Sequence, residues 1–249
     1  MIGSSRKQTT SQAVLRLLRY RQRLVEVQTK LRNGLQALAL NHQLRLGPRL
    51  WTLPGQQQLL ALDLDPSDAL QRENTLALLA QIRTRIRAIE KELTSRADQH
   101  AHVRLLRTHP GVGLLTSLAV VHTLEPVTRF DRARRVAAYC GLDPRESSSG
   151  DTVRMGHISK QGNRLLRHLL VEAAHRAVHS KADADLRNFY FRLIERKKNA
   201  GVAMTAVARK LVLRLYRMLH EDIDYTEFRR RGREARRARK TASPTAGGC

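Results

Sequence analysis

Leucine recurs every seven residues at Leu17, Leu24, Leu31 and Leu38. Over that distance the period fits a helix carrying one apolar seam. Arg and Gln fill the positions between, so the seam has to find a partner. A break containing Gly47-Pro48 and Leu53-Pro54-Gly55 follows. Then Leu79, Ile82, Ile86, Ile89 and Leu93 form a second seam, spaced 3-4-3-4. Two such helices make an antiparallel hairpin or a dimerising coiled coil; two members of an ordinary bundle fit the same pattern. Asp63, Asp65 and Asp68 have the composition of a hard-metal site. Asp, Pro and Ser also form turns, and Ser67 or Asp68 suits the N-cap of the second helix. The capping reading is the stronger.

Charge narrows the partners. The chain has 249 residues and carries 46 Lys+Arg against 22 Asp+Glu, a formal net charge of +24. Such an excess points to a polyanion, nucleic acid before an anionic membrane surface. No apolar run reaches the roughly 18 residues of a spanning helix, and the first residues lack the apolar core of a secretory signal. Two cysteines, Cys140 and Cys249, indicate no disulfide framework and fit a reducing cytoplasm, with the nucleoid as the place of action. No Cys/His cluster has zinc-ligand spacing, so no metal is expected on this chain. Aromatics at 4% disfavour base-stacking sheets and leave phosphate contact as the mode of binding.

From about residue 101 the character changes. His109-Pro-Gly-Val-Gly113 has the form of a helix-hairpin-helix turn, in which Gly111 and Gly113 let backbone approach a phosphate. A plain helix–turn–helix connection fits equally well. A mostly helical stretch over 130–142 ends at Gly141, a C-cap residue. Residues 143–156 read as a polar loop. Ser159 suits the cap of a helix running to about His179. On it Lys160, Arg164 and Arg167 share one face, while Leu165, Leu166, Leu169, Leu170, Ala173 and Ala177 occupy the other. A solvated charged face is the alternative, but the cations concentrate at the end that receives the serine-rich loop. Two further helices follow, with 202–219 apolar enough for a core helix. The run Arg229 to Lys240 is too basic to bury itself and reads as a disordered tail.

His109-Pro-Gly-Val-Gly, Phe130…Ala137-Ala-Tyr-Cys-Gly-Leu-Asp-Pro144, Ser148-Ser-Gly150, Ile158-Ser-Lys-Gln-Gly-Asn-Arg164…Leu166-Arg167 and Ala206-Val-Ala-Arg-Lys-Leu211 occur in this order. Together they resemble the C-terminal transposase domain of insertion sequence family 110, the bridge-RNA-guided serine/DEDD transposases, over about residues 101–220. The helix around Leu17–Leu38 resembles the one that follows that family's catalytic N-terminal domain. The resemblance implies a serine nucleophile that forms a transient phosphoserine bond with DNA, followed by strand rejoining. The position is Ser149, with Ser148 as fallback and Ser147 as plain loop. It also implies a guide RNA as partner. The family's RuvC-like half holds magnesium on four acidic residues. No such set stands in residues 1–60, where Glu26 is the only carboxylate. A truncated copy or a late start is the expectation, and magnesium is expected only with that missing domain.

A serine hydroxyl needs activation. His157 is a candidate base, against which stands an ordinary surface histidine. Arg154, Lys160 and Arg164 suit a phosphate on which charge develops, and Lys160 suits proton removal if its pKa is lowered. Asn163 and Arg167 complete the expected nucleic-acid contacts. The fold class expected is all-α: a helical hairpin or coiled coil over 1–100 that brings copies together, a compact helical transposase domain over 101–222, and a basic disordered tail over 223–249. The expected activity is that of a DNA transposase; the alternative is a non-catalytic nucleic-acid-binding fragment that oligomerises with an intact transposase.

Overall fold

The computed structural model describes residues 2–146 and 155–241. Its regular structure is helical, apart from one pair of short strands. The chain divides into two bodies, residues 16–92 and residues 1–15 with 93–249.

In the body of residues 16–92, helix α1 (Ile2–Asn41) and helix α3 (Pro66–Asp98) run antiparallel. Arg21, midway along α1, grips Glu90, late in α3, at 2.6 Å. His42, just past the end of α1, meets Asp68 in the first turn of α3 at 2.8 Å. Leu18, Leu35 and Leu38 of the first helix are buried, as are Leu79, Ile86 and Ile89 of the second; Leu17, Leu24, Leu31 and Ile82 are half-buried. The apolar stripe therefore drifts around α1 instead of holding one heptad row, as a straight helix of 3.6 residues per turn requires.

The break between them is more ordered than its prolines suggest. A 3₁₀ turn (Gly47–Trp51) is followed by helix α2 (Leu53–Leu60). Each begins with proline in its first two positions, where the missing N–H would have had no partner anyway. Thr52 caps α2 by accepting from the Gly55 amide at 3.3 Å. Arg72 closes its other end, donating to the carbonyls of Leu59, Leu60 and Leu62. Ala39, Leu50 and Leu59 form a small core under this turn. The cap of α3 is neither Ser67 nor Asp68. Asp65 takes that role, accepting from the amides of both, at 2.8 and 3.2 Å, and these bonds lower its pKa. With Asp65 capping and Asp68 turned to His42, the three aspartates form no metal site.

The other body holds helices α4 (Ala101–Arg107), α5 (Leu114–Leu124), α6 (Ala133–Tyr139), α7 (Arg164–His179), α8 (Ala184–Lys197), α9 (Ala200–Glu221) and α10 (Tyr225–Thr241). The 202–219 stretch is the core helix its composition suggests: Val207, Ala208, Leu211, Val212 and Leu215 of α9 are fully buried. Helix α9 packs against α7, whose Leu166, Leu170 and Ala174 are likewise buried. The polar loop is partly strand. β1 (Pro144–Glu146) pairs antiparallel with β2 (Met155–Ile158), Pro144 opposite Ile158. Two short strands satisfy their own backbone groups without any apolar alternation, which is why the sequence reads as loop there. The basic tail is also a helix over its described length. Glu227 pairs with Arg230 and Arg231 at 2.7 Å each, Glu234 pairs with Arg230, and Arg236 reaches Asp185 of α8. These i, i+3 and i, i+4 pairs offset the self-repulsion that composition alone implies. No described helix is long and apolar enough to cross a membrane.

Candidate nucleic-acid interface

Helix α6 ends in a Schellman motif. The Gly141 amide donates to Ala138 at 2.8 Å and the Leu142 amide to Ala137 at 3.0 Å, with Gly141 in the left-handed region at φ +68°. A side chain there would meet the Gln161 carbonyl at 1.9 Å, and one on Gly162 (φ +100°) would meet the Tyr139 carbonyl at 2.3 Å. The two glycines thus let the end of α6 and the approach to α7 touch backbone to backbone.

That crossing is the base of the β1–β2 hairpin. The Ser159 amide donates to the Asp143 carbonyl at 2.9 Å. Arg209 of α9 holds the Asp143 carboxylate at 2.7 Å. Arg167 donates to the Lys160 carbonyl at 3.0 Å, fixing Lys160 at φ +54°. Arg129 lies over the rings of Phe130 and Tyr139, at 4.6 and 4.9 Å. The hairpin therefore leaves a braced platform, with cations from α7 and α9 around its foot.

Ser147, Ser148, Ser149 and Arg154 fall between β1 and β2, outside the described residues. Lys160 and Arg164 are exposed beside the hairpin foot, with no carboxylate partner among the described residues. Lys160 precedes α7 rather than joining its face, because the helix starts at Arg164 and its N-cap is Asn163, not Ser159. Asn163 accepts from the Leu166 amide at 3.1 Å, so its side-chain oxygen is committed to the helix. Arg167 is half-buried and spends its guanidinium on Lys160. The first helical turn of α7 also presents free amides beside these cations.

The turn at His109–Gly113 stands elsewhere. Gly111, at φ +85°, abuts α7 so closely that a side chain would lie 2.6 Å from the Ala177 amide and 2.7 Å from the Ala173 carbonyl. The close approach it permits is to protein backbone. Gly113 is the N-cap position of α5, against Arg176. Ala173 and Ala177 lie about 14–20 Å along α7 from Arg164, at 1.5 Å per residue. The two sets of expected contacts are therefore not one site.

Three features escaped the sequence reading. Asp183 and Arg214 form a buried bidentate pair at 3.1 and 2.9 Å. His109 Nε2 lies 3.6 Å from the same carboxylate, and its Nδ1 lies 2.7 Å from the Pro110 carbonyl. Burial holds His109 well below the usual imidazole range, and burial, then Asp183, pushes the Tyr225 phenol up to about 12. With His109 and Asp183 at 1% exposure, this network lies inside the helical packing. Second, α9 and α10 line a basic groove with Lys210, Arg217, Arg229 and Arg233. Burial, then the Arg214 charge, lowers the Lys210 pKa. Third, Arg209 braces the hairpin. No sequence signal joins residues so far apart, although each lies on a helix the pattern shows. Cys140 is buried, and burial raises its thiol to about 12, so it is no nucleophile.

Residues 103–191 match the family model of the transposase IS116/IS110/IS902 family. That segment holds the His109 turn, the hairpin and all of α7 and ends within α8. The chain is 29% identical over 226 residues to a probable family 20 transposase of Pseudomonas aeruginosa, covering 88% of this chain and 67% of that protein. It is 29% identical over 212 residues to the transposase for insertion sequence element IS1111A of Coxiella burnetii, covering 82% and 57%. Over 90 residues it is 38% identical to the transposase for insertion sequence element IS1328 of Yersinia enterocolitica, covering 36% and 27%. The chain spans about two thirds of the first relative's length and less of the other two.

Proposed function

We propose that this chain is the DNA-joining part of an insertion-sequence transposase, acting on cytoplasmic, nucleoid DNA. The observation that carries the reading is the braced hairpin foot. It braces the strands on either side of the segment that holds Ser148 and Ser149, and Lys160 and Arg164, without a carboxylate partner among the described residues, are exposed by the same crossing. Lys160, Arg164 and the α7 amides hold a DNA phosphate. The Ser149 Oγ, with Ser148 as fallback, attacks the phosphorus. Its proton leaves, a phosphoserine bond forms, and the phosphodiester oxygen of the departing strand takes up a proton. Attack by an incoming strand hydroxyl reverses the step and frees the serine. A guide RNA and further copies of the chain complete the assembly.

The residues present do not fit magnesium. Among the described residues no three carboxylates gather, and Glu26 alone stands in residues 1–60. An acidic domain supplied from outside this sequence completes the site, and the chain alone turns over little. The binding half of the proposal is tested by salt. Log affinity for duplex DNA falls with log salt by about 0.9 per neutralised phosphate. Replacing Lys160 and Arg164 together by alanine lowers the slope by about 1–2, and Ser149→Ala leaves it unchanged while abolishing strand cleavage. A flat salt response would remove DNA as the substrate.

A further inference from the structure

Helices α4 and α5 bring together a second set of groups on which the transposase reading makes no demand. His100 is the N-cap residue of α4, His102 lies in its first turn, and Glu125 is the C-cap residue of α5. His102 Nδ1 is 2.9 Å from Glu125 Oε1, and His100 Nε2 is 3.6 Å from Glu125 Oε2. One donor atom from each residue lies within 4.8 Å of the other two. Donors bound to one tetrahedral ion at about 2.0–2.2 Å stand roughly 3.4 Å apart, so closing on an ion asks for shifts of an ångström or so.

The surroundings have the arrangement a ligand set needs. The outer nitrogen of His102 faces the Asp222 carboxylate at 3.8 Å. A carboxylate behind a ligating imidazole orients the ring and strengthens it as a donor. The inner side of His100 is packed edge-on by His122, at 5.2 Å between ring centroids, and Ser11 Oγ holds His122 at 3.1 Å. The side chains of His100, His102 and Glu125 are 26–37% exposed, so an ion reaches them from solvent. All of these groups belong to one body of the chain.

We propose that His100, His102 and Glu125 bind one divalent transition ion of the zinc class, leaving a fourth coordination position open. Two imidazoles and one carboxylate suit Zn²⁺ or Co²⁺ and not magnesium, which takes oxygen donors. The ion ties the start of α4 to the end of α5 and so fixes both helices that flank the His109 turn. The competing arrangement is metal-free: the His102 ring simply sits between the Glu125 and Asp222 carboxylates.

The test uses the full chain, stripped with a chelator, dialysed and titrated with Co²⁺. The expected result is saturation at one ion per chain, with the visible absorption of a four-coordinate site. Zn²⁺ then bleaches the absorption and raises the melting temperature. Glu125→Gln and His102→Ala lose the absorption, Asp222→Ala weakens binding by about tenfold or more, and His168→Ala, on exposed surface, changes nothing. Absence of stoichiometric Co²⁺ binding by the folded wild-type chain overturns the proposal. So does equal binding by a folded Glu125→Gln variant, which assigns the ions to scattered surface histidines.

Discussion

Gly141 shows at the residue scale how little freedom the hairpin foot has. A methyl group there would sit 1.9 Å from the Gln161 carbonyl, and the backbone at φ +68° is one that side chains rarely adopt. Gly141→Ala is expected to lower stability by about 2–4 kcal/mol, read as a lower denaturant midpoint with unchanged slope. A loss below about 0.5 kcal/mol would mean the crossing is loose. His109 gives a pH dependence whose sign follows from burial. The native state keeps the ring neutral well below its usual range, while the unfolded chain protonates it near pH 6.5. The native state therefore loses relative stability as pH falls below about 6.5, by at most about 1.4 kcal/mol per pH unit for this one proton. The drop is present in wild type and reduced in His109→Gln; equal slopes from pH 7 to 5 would contradict it. Gly141, Gln161 and His109 all stand as letters in motifs, yet neither the Gly141–Gln161 approach nor the His109–Asp183 contact is legible there. A glycine's neighbours and a histidine's burial are properties of the packing, which no local period encodes.

At the scale of elements, the periodic helices were legible and the local exceptions were not. The seams gave α1 and α3, and the apolar content gave α9. The caps went to neighbours of the residues expected: Asp65 in place of Ser67 or Asp68, Asn163 in place of Ser159. Asp, Asn and Ser cap by the same chemistry, so composition narrows the start to a few residues and packing chooses among them. Buried electrostatics sets a firmer prediction. Asp183 both caps α8 through the Leu186 amide and neutralises Arg214. Asp183→Asn keeps a capping oxygen but leaves the buried guanidinium only the more distant Asp185 carboxylate, at 3.7 Å, at an expected loss of about 3–5 kcal/mol in chemical denaturation. A loss near 1 kcal/mol would show that solvent reaches Arg214. Helix α10 is the converse case, held by exposed pairs. Glu227→Gln is expected to reduce far-ultraviolet helicity at low ionic strength, with the difference shrinking as salt screens the remaining charges. A difference that persists in molar salt would assign α10 to packing instead.

The ordered motifs that resemble the insertion-sequence transposases fall mainly on the His109 turn, the hairpin and α7, and the fold separates what the sequence had joined. Gly111 serves the packing of α7, whereas Lys160 and Arg164 stand free at its other end. The cationic surface also extends to the α9–α10 groove, which the disordered-tail reading had left without shape. In the proposed reading these cations contact phosphates, which positions a duplex without selecting its sequence. In the proposed reaction the serine between β1 and β2 becomes bonded to DNA. That bond is tested by mixing the chain with labelled DNA from an element end, with an acidic magnesium domain and RNA added, and resolving the products under denaturing conditions. The account predicts a slower protein–DNA band that Ser149→Ala abolishes or, if the fallback serine acts, that Ser148→Ala abolishes. A band that survives both substitutions, or no band while salt-sensitive binding persists, would contradict it and leave a nucleic-acid-binding protein without chemistry.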